Sequence, residues 1–521
     1  MSVTPDTPRR RWLTRCRHPA ACVAGLLALL PGAWAVWTYG AAGLALSHYD
    51  AKGHLVVARR VFDSITPGWQ QLGAVWLPLP HLINLVPVQV DAFYRSGASA
   101  IAVSMLAYAL AVFAATRIVL QVTASRAAAL SGAMVLALNP NVLYLQATPM
   151  TEPLLLGLTL LAVSLLTDWV EQPTPRLTCA AGLALAAAWL TRYEAWPIVG
   201  AALALAAIAR LRRHDAVPAV LGDVFRLAVY PLVALAAFLV HSRLTIGEWF
   251  VTGGFYQPDN LIDTGRPLRS LVSVWWGTHV VSSYPLLIFS TAGAALIAAT
   301  GVVRRNHASA LVTLALFGSA ALPWYAFYSG HPFRIRYMVP LIAAVAVSAG
   351  IAVGRLPRRA RLVGAATLAA LVVLGTRQID PAAPMVLEAQ LDRANQQERR
   401  SVTRELVREY RGETIMASMG SLAHYMQELS GDGFALRDFL HEGNGDIWLD
   451  ALESPWPHAG WLLIEERAEG GDMLAARARS RPEFLAGYRR VCEGGGVALY
   501  RRVGFPPPET SRRGPSSGPP S

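Results

Sequence analysis

Apolar runs of about 20 residues, the length needed to cross a bilayer, recur from Ala20 to Thr376 and then stop. A chain patterned in this way cannot close around one soluble core. Its composition agrees: 54% of the 521 residues are hydrophobic and 15% are charged, against roughly a quarter charged in a soluble domain. The expected fold is mainly α, a polytopic membrane protein of about eleven transmembrane helices followed by a small extracytoplasmic α/β domain.

The first run, Ala20 to Leu46, follows a basic stretch holding Arg9, Arg10, Arg11, Arg15 and Arg17. That is the layout of a signal-anchor with residues 1–19 in the cytoplasm. The run continues well past Ala33-Trp34-Ala35, which favours an anchor over a cleaved leader. Further spans are expected near 97–116, 127–146, 154–169, 178–191, 197–209, 227–242, 284–302, 309–328, 337–354 and 362–376. Alternate connections, with the N-terminus, hold 18 of the 28 Lys and Arg in residues 1–376, including Arg210, Arg212, Arg213, Arg304, Arg305 and the arginines of 355–361. The positive-inside rule puts these segments in the cytoplasm, and an odd number of spans then carries the C-terminal domain, 377–505, across the inner (plasma) membrane.

Residues 377–521 carry 18 basic against 21 acidic side chains, so phosphate would be repelled there and nucleic acid is not an expected partner. The four cysteines, Cys16, Cys22, Cys179 and Cys492, show no CxxC or Cys/His spacing. No structural disulfide or zinc site is expected.

Two outer loops, 47–96 and 243–283, are too long to be plain turns, and long ordered loops tend to carry function. The first contains Leu55, Val56, Val57, Val61, Phe62 and Ile65 around Arg59 and Arg60, a spacing that predicts an amphipathic helix in the interface plane. The tail reads as a polar helix over 387–410 and apolar strands near 414–417, 461–464 and 497–500, with helices between them. The Pro/Ser/Gly-rich segment 506–521 is expected to be disordered.

Eight acids map to the outer side: Asp50, Asp63, Asp91, Glu152, Glu194, Glu248, Asp259 and Asp263. Ionisable groups at a membrane boundary are costly unless paired, which makes those at span mouths functional candidates. Asp50 lies in Ser47-His-Tyr-Asp-Ala-Lys-Gly-His54, just after the first span, where a carboxylate can accept a hydroxyl proton and His48, Lys52 and His54 can tune it. It can equally cap the next helix. Glu152 opens the fourth span before Pro153, and Glu194 follows Arg192-Tyr193. Each can also act locally, on a helix N-terminus or on Arg192. The segment 330–340 puts His331, Arg334, Arg336 and Tyr337 at the outer start of the tenth span. Arginines there can fork onto phosphate oxygens or snorkel to headgroups. His81, in a Trp- and Pro-rich stretch, suits a structural or a catalytic role. Met419-Gly420-Ser421 suits a small-ligand cradle or a plain helix start. No GxxxxGK[ST], GxGxxG after a strand, or HExxH is present, so neither nucleotide-driven transport nor a dedicated metal site is indicated.

Taken together, the topology, an acid just after the first span, the Glu-Pro start of the fourth span, Arg-Tyr opening a late span and a soluble outer domain resemble the GT-C fold glycosyltransferases, the branch of protein O-mannosyltransferases and aminoarabinose transferases. The resemblance covers nearly the whole chain. It implies that Asp50 is the catalytic acid of the first loop, with His48, Glu152, Glu194 and His81 as further catalytic or acceptor-site candidates. It also implies a donor phosphate bound by Arg334 and Arg336, and by Lys52, Arg192, Tyr337 and His331. Where the family has an Asp-Glu pair, this sequence has Asp50-Ala51. The implied reaction is an inverting transfer from a polyprenyl-phosphate sugar, with Asp50 as general base, to a glycan, lipid or protein acceptor. No cofactor is expected, and the sequence carries no information on a divalent metal. The alternative on residues alone is a multispan transporter or lipid flippase, which usually shows an internal repeat. None is evident here.

Overall fold

The structure, a computed structural model, describes residues 18–251, 262–467 and 471–503. The basic segment before His18, Asp259 and the stretch 506–521 lie outside the described residues. The chain divides into two compact units. One is formed by the chain up to Ala58 with Gly73–Leu391; the other is formed by Arg59–Leu72 with the chain from Asp392.

The first unit is helical. Among the described residues, eight helices are long and apolar enough to span a membrane: Pro19–Ala41, Ala98–Thr123, Glu152–Glu171, Ala195–Arg212, Val217–Ile246, Tyr284–Val303, Arg305–Tyr328 and Ile335–Arg355. The pair Arg126–Ala137 and Pro140–Gln146, bent by 64°, makes nine if it is counted as one broken span. The bend falls where Pro140 forbids continuation, and the Asn139 side chain restarts the helix by accepting from the Asn141 and Val142 amides. Helices also occupy the two remaining positions expected from sequence. Pro175–Trp189 has only 15 residues, and Arg358–Gly375 opens on Arg358, Arg359 and Arg361. The chain is a multi-pass membrane protein.

With no hydrophobic force between helices inside lipid, small residues bring the helices together. A Cβ on Gly293 would lie 1.9 Å from the Ser348 carbonyl oxygen, and one on Gly132 would lie 3.0 Å from the Ala346 oxygen. Both contacts involve Ile335–Arg355, the most deeply buried span. Its first turn carries Arg336, so that arginine is held by protein rather than by lipid.

The connections correct three sequence expectations. The stretch expected to float in the interface forms a helix, Tyr49–Arg59, but Leu55, Val56 and Ala58 are fully buried, so it has no free apolar face. The second long loop is shorter than expected, because Val217–Ile246 extends into it and Pro267–Ser282 fills its far end. The domain boundary expected after residue 376 falls at Leu391, because Met385 and Val386 pack into the core of the helical unit and Asn141 Oδ1 accepts from the Met385 amide at 3.0 Å. The single polar helix expected over 387–410 is therefore two, Pro384–Ala389 and Arg393–Glu409.

The second unit holds a five-stranded sheet of β1 (Ile415–Ala417), β2 (Phe439–Leu440), β3 (Trp461–Glu465), β4 (Tyr488–Gly494) and β5 (Val497–Arg502) in the order β2-β1-β3-β5-β4. β1 runs parallel to β2 and β3, while β5 is antiparallel to β3 and β4. Part of the first loop is built into this unit. Asp63 accepts from the Leu436 and Arg437 amides at 3.3 and 3.4 Å. Asn444 donates to Ser64 and Thr66, and Gln71 donates to the Gly443 oxygen at 2.8 Å. The cradle considered at Met419-Gly420-Ser421 is filled from within: the Glu442 carboxylate accepts from the Met419 amide at 2.6 Å, from the Gly420 amide at 3.4 Å and from the Ser418 hydroxyl.

Candidate active site

Span ends and the connecting helices beside them supply two largely buried arginines and four carboxylates to the helical unit. Asp50 sits in the first turn of Tyr49–Arg59. Its carboxylate does not cap that helix; His48 Nδ1 accepts from the Asp50 amide at 3.1 Å instead. Asp50 Oδ2 is thereby left for Arg336 Nη1, which donates to it directly. On the other side of Arg336, Nε lies 3.9 Å from Glu388 Oε1 and makes no hydrogen bond, although it is buried. Glu388 is fixed by the Ile335 amide, 3.1 Å from Oε2, and stands 3.7 Å from His48 Nε2.

Glu388 is the residue that sequence reasoning missed. It lies beyond the last apolar run, in a stretch assigned to the soluble domain. The available signal was local: Pro384 starts a helix and Met385-Val386 give it an apolar face, before the charged run from Asp392. Spatially, Glu388 supplies a second carboxylate beside Asp50, where the sequence has Ala51.

Burial alone would raise the Asp50 pKa. The Arg336 guanidinium, helped by His48, outweighs it and holds the carboxyl well below the usual range. His54 is kept neutral by burial and by His81, against the pull of Asp50, so Arg336 is the effective counter-charge. Glu388 is lowered too, because His48 and Arg336 overcome its burial.

Arg192 is arranged differently. Its Nε and Nη2 donate to Glu194, the shortest contact being 2.8 Å. Its Nη1 donates to Thr151 Oγ1 at 3.0 Å and lies 3.1 Å from Glu152 Oε1. Every nitrogen of Arg192, expected from the family resemblance on a donor phosphate, therefore faces a protein group. Glu152 and Glu194 serve it as carboxylate partners, and both are buried.

The remaining sequence candidates fall as follows. Lys52 is buried two residues after Asp50, a spacing that puts the two on different helix faces. Arg334 is half-buried, with its charge felt at Glu388 and Tyr49. His331 and Tyr337 engage each other, the Tyr337 hydroxyl lying 3.3 Å from His331 Nε2. His81 is buried and bonds to His54.

The chain is similar to two crystal structures of ArnT from Cupriavidus metallidurans, at 13% identity over 93% of this chain and 98% of that one. One is bound to undecaprenyl phosphate, with a TM-score of 0.55; the other is in the apo state, with a TM-score of 0.54. The fold is of the GT-C type. No family model matches the chain, and no curated protein does. Within this fold the Asp50–Arg336–Glu388 group joins the helix Tyr49–Arg59, the first turn of Ile335–Arg355 and the helix Pro384–Ala389.

Proposed function

We propose that this protein is a membrane glycosyltransferase that moves a sugar from a polyprenyl-phosphate donor to a cell-envelope acceptor on the outer face of the membrane. The observation that carries the reading is Arg336: a largely buried guanidinium held between Asp50 and Glu388, whose buried Nε–H has no hydrogen-bond partner. A phosphate oxygen is the acceptor whose geometry suits that unspent edge. The ArnT structure bound to undecaprenyl phosphate supports the same chemistry.

In this reading the sugar arrives already activated on phosphate, and no nucleotide is needed. The acceptor hydroxyl attacks the anomeric carbon from the face opposite the phosphate, with inversion, and the phosphate leaves with charge that Arg336 offsets. Asp50 takes the hydroxyl proton. Pairing with Arg336 makes Asp50 a weak base at rest. A phosphate that draws Arg336 toward itself loosens the pair and raises the basicity of Asp50 as the donor binds. Glu388 limits how far the guanidinium can swing. Arg334 adds positive charge for the phosphate, while Arg192 holds Glu152 and Glu194 as one wall.

The test is transfer of labelled sugar from polyprenyl-phosphate donors in membranes carrying wild-type protein, Asp50→Asn or Arg336→Ala. Loss of transfer in both variants at unchanged protein level supports the reading. Wild-type rates in both would overturn it.

A further inference from the structure

A hydroxyl proton that reaches Asp50 has to leave it before the ion pair with Arg336 can form again and the next transfer begin. Four residues along the same helix, His54 shares the face of Asp50. His54 Nδ1 lies 3.0 Å from His81 Nε2, so the two imidazoles share one hydrogen bond, and they are 8% and 1% exposed. His54 Nε2 has no hydrogen-bond partner among the described residues. Trp76 covers the pair, its ring 4.2 Å from His54 and stacked at 6.0 Å on His81. Gly53 makes that cover fit, because a Cβ there would come within 2.8 Å of the Trp76 ring.

The charged and titratable groups acting on His54 are His81 from Leu79–Asn84, Asp50 from its own helix, Arg192 from the turn before Ala195–Arg212, and Arg336 from the first turn of Ile335–Arg355. Asp50 favours a proton on His54, and the other three oppose it. The imidazole is therefore empty at neutral pH and able to receive a proton. Once protonated at Nε2, His54 donates through Nδ1 to His81 Nε2, which spreads the charge over two rings in a site where one would be costly.

We propose that His54 and His81 form a shared proton acceptor, receiving through Asp50 the proton that the acceptor hydroxyl loses during transfer. This rests on the glycosyl-transfer reading above. The acceptor O–H bond breaks and an O–C1 bond forms. The bond from C1 to the phosphate oxygen breaks, and its electron pair leaves with the polyprenyl phosphate. The proton passes from Asp50 to His54 Nε2 and then to water, and nothing is oxidised or reduced.

The experiment is the pH–rate profile of labelled-sugar transfer by the full-length protein, for wild type, His54→Gln, His54→Gly, His81→Gln and Asp50→Asn. In wild type, kcat falls on the acid side as His54 becomes protonated and can no longer accept. For His54→Gln, kcat is expected to drop by about a hundredfold, with KM for the donor nearly unchanged and the acid limb gone. Added imidazole should restore transfer to His54→Gly, which a purely structural histidine would not allow. His81→Gln keeps His54 in place and should move the acid limb, so the idea remains testable if the His54 variants do not accumulate. It is overturned if His54→Gln keeps the wild-type kcat and acid limb while Asp50→Asn is inactive, or if the limb stays put in His81→Gln. A wild-type protein that transfers from no polyprenyl-phosphate sugar sinks the glycosyl-transfer reading itself, and the relay falls with it.

Discussion

Arg192 and Arg336 each stand at the entrance to a span, yet their surroundings differ in the respect that matters to a ligand. Around Arg192, all three nitrogens have a protein neighbour: Nε and Nη2 donate to Glu194, and Nη1 donates to Thr151 with Glu152 3.1 Å away. Around Arg336, Asp50 takes one edge, Glu388 Oε1 stays 3.9 Å away, and Nε has no hydrogen bond. An arginine engaged at every nitrogen by its own protein serves as scaffold, whereas one with a buried nitrogen left without an acceptor suits a ligand. Sequence alone treats the two alike, because it shows the cation and not how many carboxylates have closed around it.

The largest effect expected from this contrast is on folding. Arg192→Ala leaves Glu152 and Glu194 buried without a counter-charge, which costs about 3–5 kcal/mol. Thermal unfolding in detergent should show a sharply less stable protein, with transfer lost in step with the folded fraction. A stable Arg192→Ala with only a raised donor KM would erase the distinction between the two arginines. Next comes Arg336→Ala, for which transfer should fall by about a hundred- to a thousandfold. Arg336→Lys, which keeps the charge and loses the fork, should stay folded and remain strongly impaired. The corresponding Arg192→Lys should instead lose stability.

Glu388→Gln should be milder. The amide oxygen can still accept from the Ile335 N–H, but the guanidinium loses its second anionic neighbour. Donor KM should change by about tenfold, or ~1.4 kcal/mol, with kcat less affected. An equal loss in kcat would make Glu388 a participant in the chemical step and not a limit on Arg336.

The smallest effect lies in the second unit, at Glu465, where a nearby arginine does not outweigh burial. Burial pushes Glu465 up to about 7 from 4.5, with Arg399 opposing and Asp472 and Asp392 adding to the rise. Because the folded state holds this proton more tightly than the unfolded state, the stability it contributes is complete below about 4.5 and is lost as pH rises through about 7. Hydrogen exchange of β3 in the full chain should quicken modestly across that window, and Glu465→Gln should flatten the change.

Much of this was legible in the sequence, for reasons that can be traced to particular residues. The spans announce themselves because lipid tolerates little else. Asp50 and Arg336 stand out because charge at a span end needs a reason to be there. Glu388 stayed hidden because a glutamate in a polar stretch is unremarked until Met385 and Val386 are seen to anchor it to the helical core. The full set of partners of Arg192 was not legible either, since Glu152, Thr151 and Glu194 converge on it only in three dimensions. In the sheet, β1, β3 and β5 are buried apolar runs that pattern reading finds. β2 is only two residues long, and β4 has no fully buried residue, so neither has the alternation that would reveal it.

The partition of the first loop has a consequence for how the molecule is made. Arg59–Leu72 leaves the ribosome early, yet Leu436, Arg437, Gly443 and Asn444, which hold it, are synthesised near the end. Until then this segment has no place to settle, while Asp50, a short way upstream, belongs to a unit that can already pack. Completion of the soluble unit therefore acts as a late checkpoint on the loop that carries Asp50. A chain truncated after the last span would keep every membrane helix and lose the fixed end of that loop.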